Sequence, residues 1–340
     1  MILSIVTTLY HSEASVREFH ARTSHAAREL VGDDYEIIMV NDGSTDNSLA
    51  EAIVLAENDP HLQVIDLSRN FGHHKALMAG IGQSRGDFVF LIDSDLEEEP
   101  ELLTSFAEHM AQARCDVVYG VQKKRKGSWF ERISGDAFYR LYGHLAGFRL
   151  PRNLLTVRLM TRRYVDALLL HREREMFIAG LWLLTGFDQQ PLSVNKKSLS
   201  QTTYSLKKKL SILVTSITSM SNRPLIGVFY VGLVVFLLAF SYTGLLIGRW
   251  LLVSRPPDGW TSLIASVWML GGLTVCSIGL VGIYLAKVFT EVKQRPSTTI
   301  RTIYARGESN SPDFSALARF KDKLRSLPAT RRSVRSEANK

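Results

Sequence analysis

The stretch RGDFVFLIDSDLEEEPEL, residues 85 to 102, joins a short apolar run to a dense group of acidic side chains. The apolar run predicts a buried strand. Asp93 and Asp95 follow this run at alternate positions. Hard cations such as Mg²⁺ bind carboxylate oxygens, so the two aspartates are candidate metal ligands. A simpler interpretation is that Asp95 caps a helix that begins near Pro100, with the glutamates between them in its first turn. From this stretch alone, both interpretations stay open.

The surrounding residues alternate apolar runs with amphipathic segments. The pattern predicts strands over 3–10, 35–42, 62–68, 87–95 and 115–121, and helices over 13–30, 44–57, 73–84 and 100–113. This alternation is typical of an α/β domain with a parallel sheet covered on both faces. Ligands of such sheets bind beyond the carboxyl ends of the strands. Both VNDGSTD (40–46) and LIDSD (91–95) are predicted to lie there.

Composition narrows the classes of partner. The chain has 340 residues and a formal net charge of +8, which favours an anionic partner such as a phosphorylated substrate or a lipid headgroup. No zinc, RRM or helix-turn-helix signature accompanies this charge, so we expect no nucleic-acid partner. The two cysteines, Cys115 and Cys276, are far apart and have no metal-ligand spacing. We therefore expect neither a disulfide framework nor a zinc site, and we expect a reducing compartment.

Two long segments, 224–248 and 260–286, contain no charged residue. Each exceeds the roughly 20 residues that a helix needs to cross a bilayer, and we predict a transmembrane hairpin. Basic residues lie before the first segment and after the second, which predicts an integral two-pass protein with both termini in the cytoplasm. Glycines close together in LGG and GLVG of the second segment make a homo-oligomer possible.

These features divide the chain into four parts. We predict a cytoplasmic catalytic domain over 1–204 and an amphipathic segment at the membrane interface over 205–223. The two transmembrane helices occupy 224–288. A basic, partly disordered cytoplasmic tail is predicted over 289–340.

A second polar group follows the predicted strand that ends at residue 42. The Asp42 carboxylate can accept a hydrogen bond from a nucleobase or from a ribose hydroxyl. Gly43, Ser44 and Thr45 are expected to form a tight polar turn beside it, and the simpler alternative is that Asp46 or Ser44 caps the next helix. The pair His73 and His74 is expected either to contact a phosphate or to serve the start of its helix.

Together these stretches resemble the family 2 inverting glycosyltransferases, which have the GT-A fold. The order of domain, amphipathic segment and two-span hairpin is similar to that of the polyprenyl-phosphate glycosyltransferases, which act on dolichyl or undecaprenyl phosphate. Further matching stretches are LSRNFGHHKALMAGI (67–81), DVVYG (116–120), RKGSWFERI (125–133) and VRLMTRR (157–163). The resemblance implies transfer of one sugar from a nucleotide sugar, with a UDP-sugar favoured, to a polyprenyl phosphate, with Mg²⁺ or Mn²⁺ as cofactor.

The resemblance also implies roles for individual residues. The implied donor contacts are Thr8, Tyr10, Asp42, Arg69, Asn70 and Asp93. The implied catalytic residues are Asp93, Asp95 and Arg158, and the implied metal ligands are Asp95 and Glu97. The acceptor phosphate is expected to contact Lys124, Arg125 and Arg132, with Lys207, Lys208 and Lys209 as alternatives.

The chain departs from the family pattern at Thr156, where relatives carry an aspartate, and also at Met176, Ala179 and Thr203. A sugar hydroxyl needs a general base to become a good nucleophile, whereas a phosphate is already anionic at neutral pH. The loss of the aspartate is therefore compatible with a lipid-phosphate acceptor. A non-catalytic membrane scaffold derived from this fold is the alternative hypothesis.

Overall fold

The structure is a computed structural model. It describes residues 1–122, 151, 153–174, 177–195, 218, 221–252, 259–306 and 308–309.

The described residues form one nine-stranded sheet with helices on both faces. The strands are β1 (Leu3–Leu9), β2 (Tyr35–Asn41), β3 (Leu62–Leu67), β4 (Phe88–Leu91), β5 (Val117–Gln122), β6 (Leu154–Thr161), β7 (Gln189–Val194), β8 (Ile300–Ala305) and β9 (Glu308–Ser309). The helices are α1 (Val16–Val31), α2 (Ser48–Asn58), α3 (His73–Gln83), α4 (Leu102–Ala113), α5 (Arg162–Leu169), α6 (Ile178–Leu184), α7 (Arg223–Leu252) and α8 (Trp260–Val292). The order of the strands is β7-β5-β6-β4-β1-β2-β3-β8-β9.

The centre of the sheet is parallel, as predicted, because β1 pairs in parallel with both β2 and β4, and β2 pairs in parallel with β3. The prediction of a wholly parallel sheet is wrong. Strand β6 runs antiparallel between β4 and β5, and β8 runs antiparallel to β3. Neither strand has the strand-helix-strand spacing from which parallel pairing was inferred, so their direction could not be read from that pattern.

Buried apolar residues form two clusters, one on each face of the sheet. Phe19 of α1, Ala52 of α2 and Phe106 of α4 belong to the first cluster. Leu77 of α3 and Leu168 of α5 belong to the second. Because helices cover both faces, the central strands β1 and β2 are buried along their whole length.

Strand β4 is shorter than the predicted 87–95. It ends at Leu91, and the N–H of Ile92 still donates to the Val6 carbonyl at 3.2 Å. The Ser94 hydroxyl then donates to the Thr8 carbonyl at 2.8 Å, and Leu96 has a φ of 59°, in the left-handed region. The chain therefore leaves the sheet directly before the acidic residues, which places them in a loop.

Two long helices occupy the region of the predicted hairpin. Helix α7 has 30 residues and α8 has 33. Within the described residues, the helical segment Met269–Val292 is long and apolar enough to cross a membrane, and Arg223–Val235 is a shorter apolar segment. Most of the predicted amphipathic segment 205–223 lies outside the described residues.

The predicted tail 289–340 contains part of the sheet, which corrects the predicted domain boundary. Strand β8 pairs with β3, and β9 pairs with β8. Thr302 is 4% exposed, so the tail enters the core of the domain at this point. Residues 310–340 lie outside the described residues.

Two glycines of α3 provide a test of the packing between this helix and the sheet. A Cβ at Gly80 would lie 2.6 Å from Val6 Cγ1 and 2.8 Å from Val40 Cγ2, whereas the nearest atom to a Cβ at Gly82 is 3.8 Å away. We expect Gly80→Ala to cost about 1–3 kcal/mol of stability because the core is overpacked. Gly82→Ala, the matched control, should leave the thermal-unfolding midpoint unchanged or raise it, because alanine favours helix. Equal midpoints for the two variants would contradict this packing.

Candidate functional site

Four loops leave the parallel strands β1 to β4 at the same edge of the sheet. The strand order β4-β1-β2-β3 makes these strands neighbours, and in the register Leu9 lies opposite Asn41. The loop after each strand carries predicted donor-site residues: Tyr10 after β1, Asp42 after β2, Arg69 and Asn70 after β3, and Asp93 after β4. The structure therefore brings these predicted residues to one edge, where ligands of such sheets bind.

Asp42 connects the end of β2 to the loop before α3. Its carboxylate accepts hydrogen bonds from the backbone N–H of Phe71 at 2.7 Å and of Gly72 at 3.0 Å. Asp42 is 2% exposed, and a carboxylate that is so buried requires such donors. Asp42 therefore shapes the loop 69–72, and any contact with a nucleotide would use its remaining acceptor positions.

The turn after β2 packs closely against the same loop. Gly43 has a φ of 65°, and a Cβ at this position would lie 2.4 Å from the Asn70 nitrogen. Glycine is therefore required both by the backbone conformation and by the close approach. Arg69 and Asn70 are exposed, and the Arg69 guanidinium lies 4.1 Å from the centre of the Phe71 ring. Both predicted donor residues are thus accessible at the edge.

His73, the first residue of α3, lies between the end of β1 and the loop after β4. Its Nδ1 is 3.1 Å from the Thr8 hydroxyl, and its Nε2 is 3.5 Å from Asp93 Oδ1. Burial lowers the pKa of His73, although the carboxylates of Asp42 and Asp95 act in the opposite direction. The structure therefore places this imidazole among the predicted donor residues and orients it through two of them.

Serine side chains join the β1 loop to the acidic loop. The Ser94 hydroxyl donates to the Thr8 carbonyl at 2.8 Å and lies 3.1 Å from the Ser12 hydroxyl. Ser94 and Ser12 are buried. These bonds fix the backbone between Asp93 and Asp95 relative to β1. The two carboxylates therefore extend from a segment whose position is fixed by hydrogen bonds.

Asp95 and Glu97 are the predicted metal ligands. Asp95 is exposed, and its Oδ1 accepts from the Glu97 N–H at 3.0 Å. Glu97 is 6% exposed. The described residues contain no group of three or more histidine, cysteine, aspartate or glutamate side chains that could hold a metal. Any metal here would therefore need oxygen ligands from a bound substrate or from water, as Mg²⁺ commonly has.

The turn around Asp46 serves the start of α2. Asp46 Oδ1 accepts from the Ser44 hydroxyl at 2.5 Å and from the Ser48 hydroxyl at 2.6 Å. Burial would raise the pKa of Asp46, but these hydrogen bonds outweigh it and lower the pKa well below its usual value. The carboxylate also accepts from the Ser48 N–H at 3.2 Å, so Asp46, which precedes the N-cap residue Asn47, bonds the first residue of α2.

Arg158 is enclosed within the domain and is 1% exposed. It lies on β6 opposite Leu91. Its guanidinium packs 2.9 Å from the centre of the Trp182 ring and donates to the Thr156 carbonyl at 3.2 Å. Burial lowers its pKa to about 9, a value at which it is still cationic at neutral pH. The structure gives Arg158 a packing role, and its catalytic role stays a prediction.

The predicted acceptor-phosphate residues Lys124, Arg125 and Arg132 lie outside the described residues, and so do Lys207, Lys208 and Lys209.

Sequence reasoning left the role of His73 open, and the structure identifies it as a candidate site residue. A usable signal was present, because a helix that begins just after a sheet edge directs its first side chains toward that edge. The role of the tail strand β8 beside this site had no comparable signal.

Known proteins that are similar to this chain show the family to which it belongs. The sequence profile of glycosyl transferase family 2 matches residues 4–168. A protein of Mycobacterium tuberculosis (strain CDC 1551 / Oshkosh) that is named as a glycosyltransferase is 50% identical over 304 residues, which is 89% of each chain. The protein therefore belongs to glycosyl transferase family 2, as the sequence motifs indicated.

Another relative is named for its substrates. The undecaprenyl-phosphate 4-deoxy-4-formamido-L-arabinose transferase of Enterobacter sp. (strain 638) is 30% identical over 315 residues, which is 90% of this chain and 94% of the relative. The similarity to the polyprenyl-phosphate glycosyltransferases is thereby confirmed. Among solved structures, glucosyl-3-phosphoglycerate synthase from Mycobacterium tuberculosis with Mn²⁺, UDP and glucosyl-3-phosphoglycerate has a TM-score of 0.42 and 17% identity, over 65% of this chain and 79% of that one.

The contacts of His73 with Thr8 and Asp93 lead to a prediction about activity. We expect His73→Ala to lower the rate of sugar transfer about ten-fold or more, because it removes a side chain that positions Asp93 at the site. His74→Ala is the matched control, since it removes the same kind of side chain from the adjoining position and should have the smaller effect. Both rates are measured at saturating donor, and a loss in His74→Ala as large as that in His73→Ala would contradict the assignment.

Proposed function

We propose that this glycosyltransferase transfers a single sugar, with inversion, from a nucleotide sugar to a polyprenyl phosphate at the cytoplasmic face of a bacterial inner membrane. Undecaprenyl phosphate is the favoured acceptor and a UDP-sugar the favoured donor. One observation supports this proposal above all. The four loops that follow β1 to β4, which carry the predicted donor-site residues, lie together at one edge of the sheet. Membership of glycosyl transferase family 2 supports the same reaction class.

The donor would bind across this edge. Thr8, Tyr10 and Asp42 would contact the nucleoside, and Arg69 and Asn70 would lie beside it. Tyr10 is 51% exposed, so its ring is available for stacking on a base. The diphosphate would then lie toward Asp93 and Asp95.

The chemistry at the acceptor needs little from the protein beyond alignment. A polyprenyl phosphate is anionic, so its oxygen attacks the anomeric carbon without a general base while the bond to the nucleoside diphosphate breaks. One such displacement inverts the configuration at that carbon. Thr156 stands where relatives have an aspartate, and its side chain is half-buried in β6. This substitution fits a reaction that does not require a carboxylate base.

A divalent cation, Mg²⁺ or Mn²⁺, would stabilise the negative charge that develops on the departing diphosphate. Asp95 fits this role because its carboxylate is exposed at the edge and is oriented by the Glu97 N–H. Glu97 would contribute from its more buried position. A hard cation bound by one or two carboxylates and by substrate phosphates is the usual arrangement for such sites.

Two membrane crossings are supported by the path of the chain. Strands β1 to β7 precede the long helices and β8 follows them, yet all belong to one sheet. The number of crossings between β7 and β8 must therefore be even. Since part of α8 is long and apolar enough to span, we propose that α7 crosses as well and that the loop between them lies outside the cytoplasm.

The reaction can be tested with purified full-length protein, radiolabelled nucleotide sugars, undecaprenyl phosphate and Mn²⁺. We expect labelled lipid with at least one UDP-sugar and no labelling when EDTA removes the metal. Asp95→Asn should lower transfer about 100-fold or more, because it removes the charged ligand of the cation.

Glu101→Gln is the matched control for Asp95→Asn. It neutralises a carboxylate of the same acidic stretch that bonds Arg22 of α1 at the protein surface, and it should retain activity. If no donor in a broad panel labels the lipid, and Asp95→Asn leaves the cellular phenotype intact, the scaffold hypothesis replaces this proposal.

The topology can be tested by cysteine labelling in a variant that carries Cys276→Ser, since the other cysteine, Cys115, is buried. We expect Gly259→Cys, between the two helices, to react in intact cells with a membrane-impermeant maleimide. Ser297→Cys, just after α8, should react only after the membrane is permeabilised. Reaction of both positions under the same condition would contradict two crossings.

A further inference from the structure

The strand that returns from the long helices lies beside the loop that carries Arg69 and Asn70. The Ser68 N–H donates to the Thr299 carbonyl at 2.9 Å. The Ser68 carbonyl accepts from Arg301 Nη2 at 2.7 Å. The backbone N–H and the backbone carbonyl of Ser68 are thus both bonded, by Thr299 directly before β8 and by Arg301 within it.

Arg301 also reaches a buried carboxylate. Its Nη1 donates to Asp66 Oδ2 at 2.9 Å, and Asp66 is 1% exposed. The other oxygen of Asp66 accepts from Asn41 Nδ2 at 2.8 Å. A buried carboxylate that loses one of its partners is destabilised strongly, so Arg301 and Asn41 are both needed to keep Asp66 in place.

Asn41 connects Asp66 to the turn after β2 by hydrogen bonds from both ends of its side-chain amide. Its side-chain oxygen accepts from the Ser44 N–H at 3.2 Å, while its amide nitrogen is directed to Asp66. The amide is therefore oriented from both ends. The Ser44 hydroxyl in turn accepts from the His11 N–H at 2.8 Å, which extends the same chain of bonds to the β1 loop.

The pairing of β3 with β8 is irregular at this point. Asp66 lies opposite Thr302, and Leu67 lies opposite Ile300, so Arg301 is the extra residue of a bulge. A bulge of this kind redirects a side chain and is common beside functional sites. Here it directs one guanidinium to both Asp66 and Ser68.

We propose that Arg301, in the strand that follows the second long helix, is a positioning residue of the donor site. It holds the β3 loop directly through Ser68, and it holds the turn after β2 through Asp66 and Asn41. This inference rests on the proposed binding of a nucleoside diphosphate at that edge. It makes a segment beyond the membrane helices part of the donor site.

The experiment uses full-length protein in lipid nanodiscs with Mn²⁺. The affinity for UDP is measured by calorimetry, at a temperature where each variant is folded. We expect Arg301→Met to bind UDP about ten-fold more weakly, because the loops that frame the site are no longer fixed in the binding geometry. Arg301→Lys keeps the charge but not the planar fork, so its affinity should lie between those of Arg301→Met and wild type.

Arg306→Met is the matched control, since Arg306 is an exposed arginine just after the same strand. It should bind UDP as the wild type does. In transfer assays, Arg301→Met should raise the KM for the donor and leave the KM for the lipid phosphate unchanged. A purely structural role for Arg301 would not separate the two constants in this way.

The outcomes distinguish this inference from the proposed function. Wild-type affinity in Arg301→Met, or an equal loss in Arg306→Met, overturns the inference alone. A wild-type protein that binds no UDP overturns the proposed donor and this inference with it. If Arg301→Met does not fold, Arg301→Lys decides: wild-type affinity in that variant overturns the inference, and weaker affinity supports it.

Discussion

The carboxylate of Asp42 is almost inaccessible to water, and two backbone amides of the loop before α3 satisfy it. Hydrogen bonds from N–H groups to a buried charge are strong, and leaving such a charge without them costs several kcal/mol. The loop 69–72 must therefore keep one path across the end of β2. That path sets where α3 begins, so the contacts of His73 with Thr8 and Asp93 depend on it.

The parallel centre of the sheet could be predicted because its signal is local. Each of β1 to β4 is an apolar run followed by an amphipathic helix, and the polar residues after β2 and β4 mark the edge at which the strands end. This signal predicts Asp42 and Asp93 at that edge, and the family motifs add Thr8, Arg69 and Asn70 as predicted donor contacts. At the end of the acidic stretch, Glu101 bonds Arg22 of α1 at the protein surface.

Other features could not be predicted because they depend on pairing between distant residues. Strand β8 pairs with β3, although more than 200 residues separate the two strands in the sequence. A short apolar run in a basic tail does not indicate with which strand it pairs. The burial of Arg158 against Trp182 is similar, because it depends on how α6 packs on β6. Motif similarity transfers a residue type to a position, but solvent exposure is set by the whole fold.

The return of the chain to the sheet has a consequence for the proposed reaction between a water-soluble donor and a lipid. In that proposed reaction, the distance between the donor site and the membrane would have to be constant, since the two substrates would meet only where both can reach. Besides the pairing of β8 with β3, a second contact joins the end of α8 to the domain. The Arg174 N–H donates to the Glu291 carboxylate at 2.7 Å, and the Arg174 guanidinium donates to the Gln294 carbonyl at 3.2 Å. With one connection at Arg174 and another at the β3 edge, α8 ends at a defined place on the domain. A helix that was tethered only through a flexible linker would leave that distance free to vary, and alignment of the acceptor phosphate with the anomeric carbon would then have to be achieved anew at each encounter.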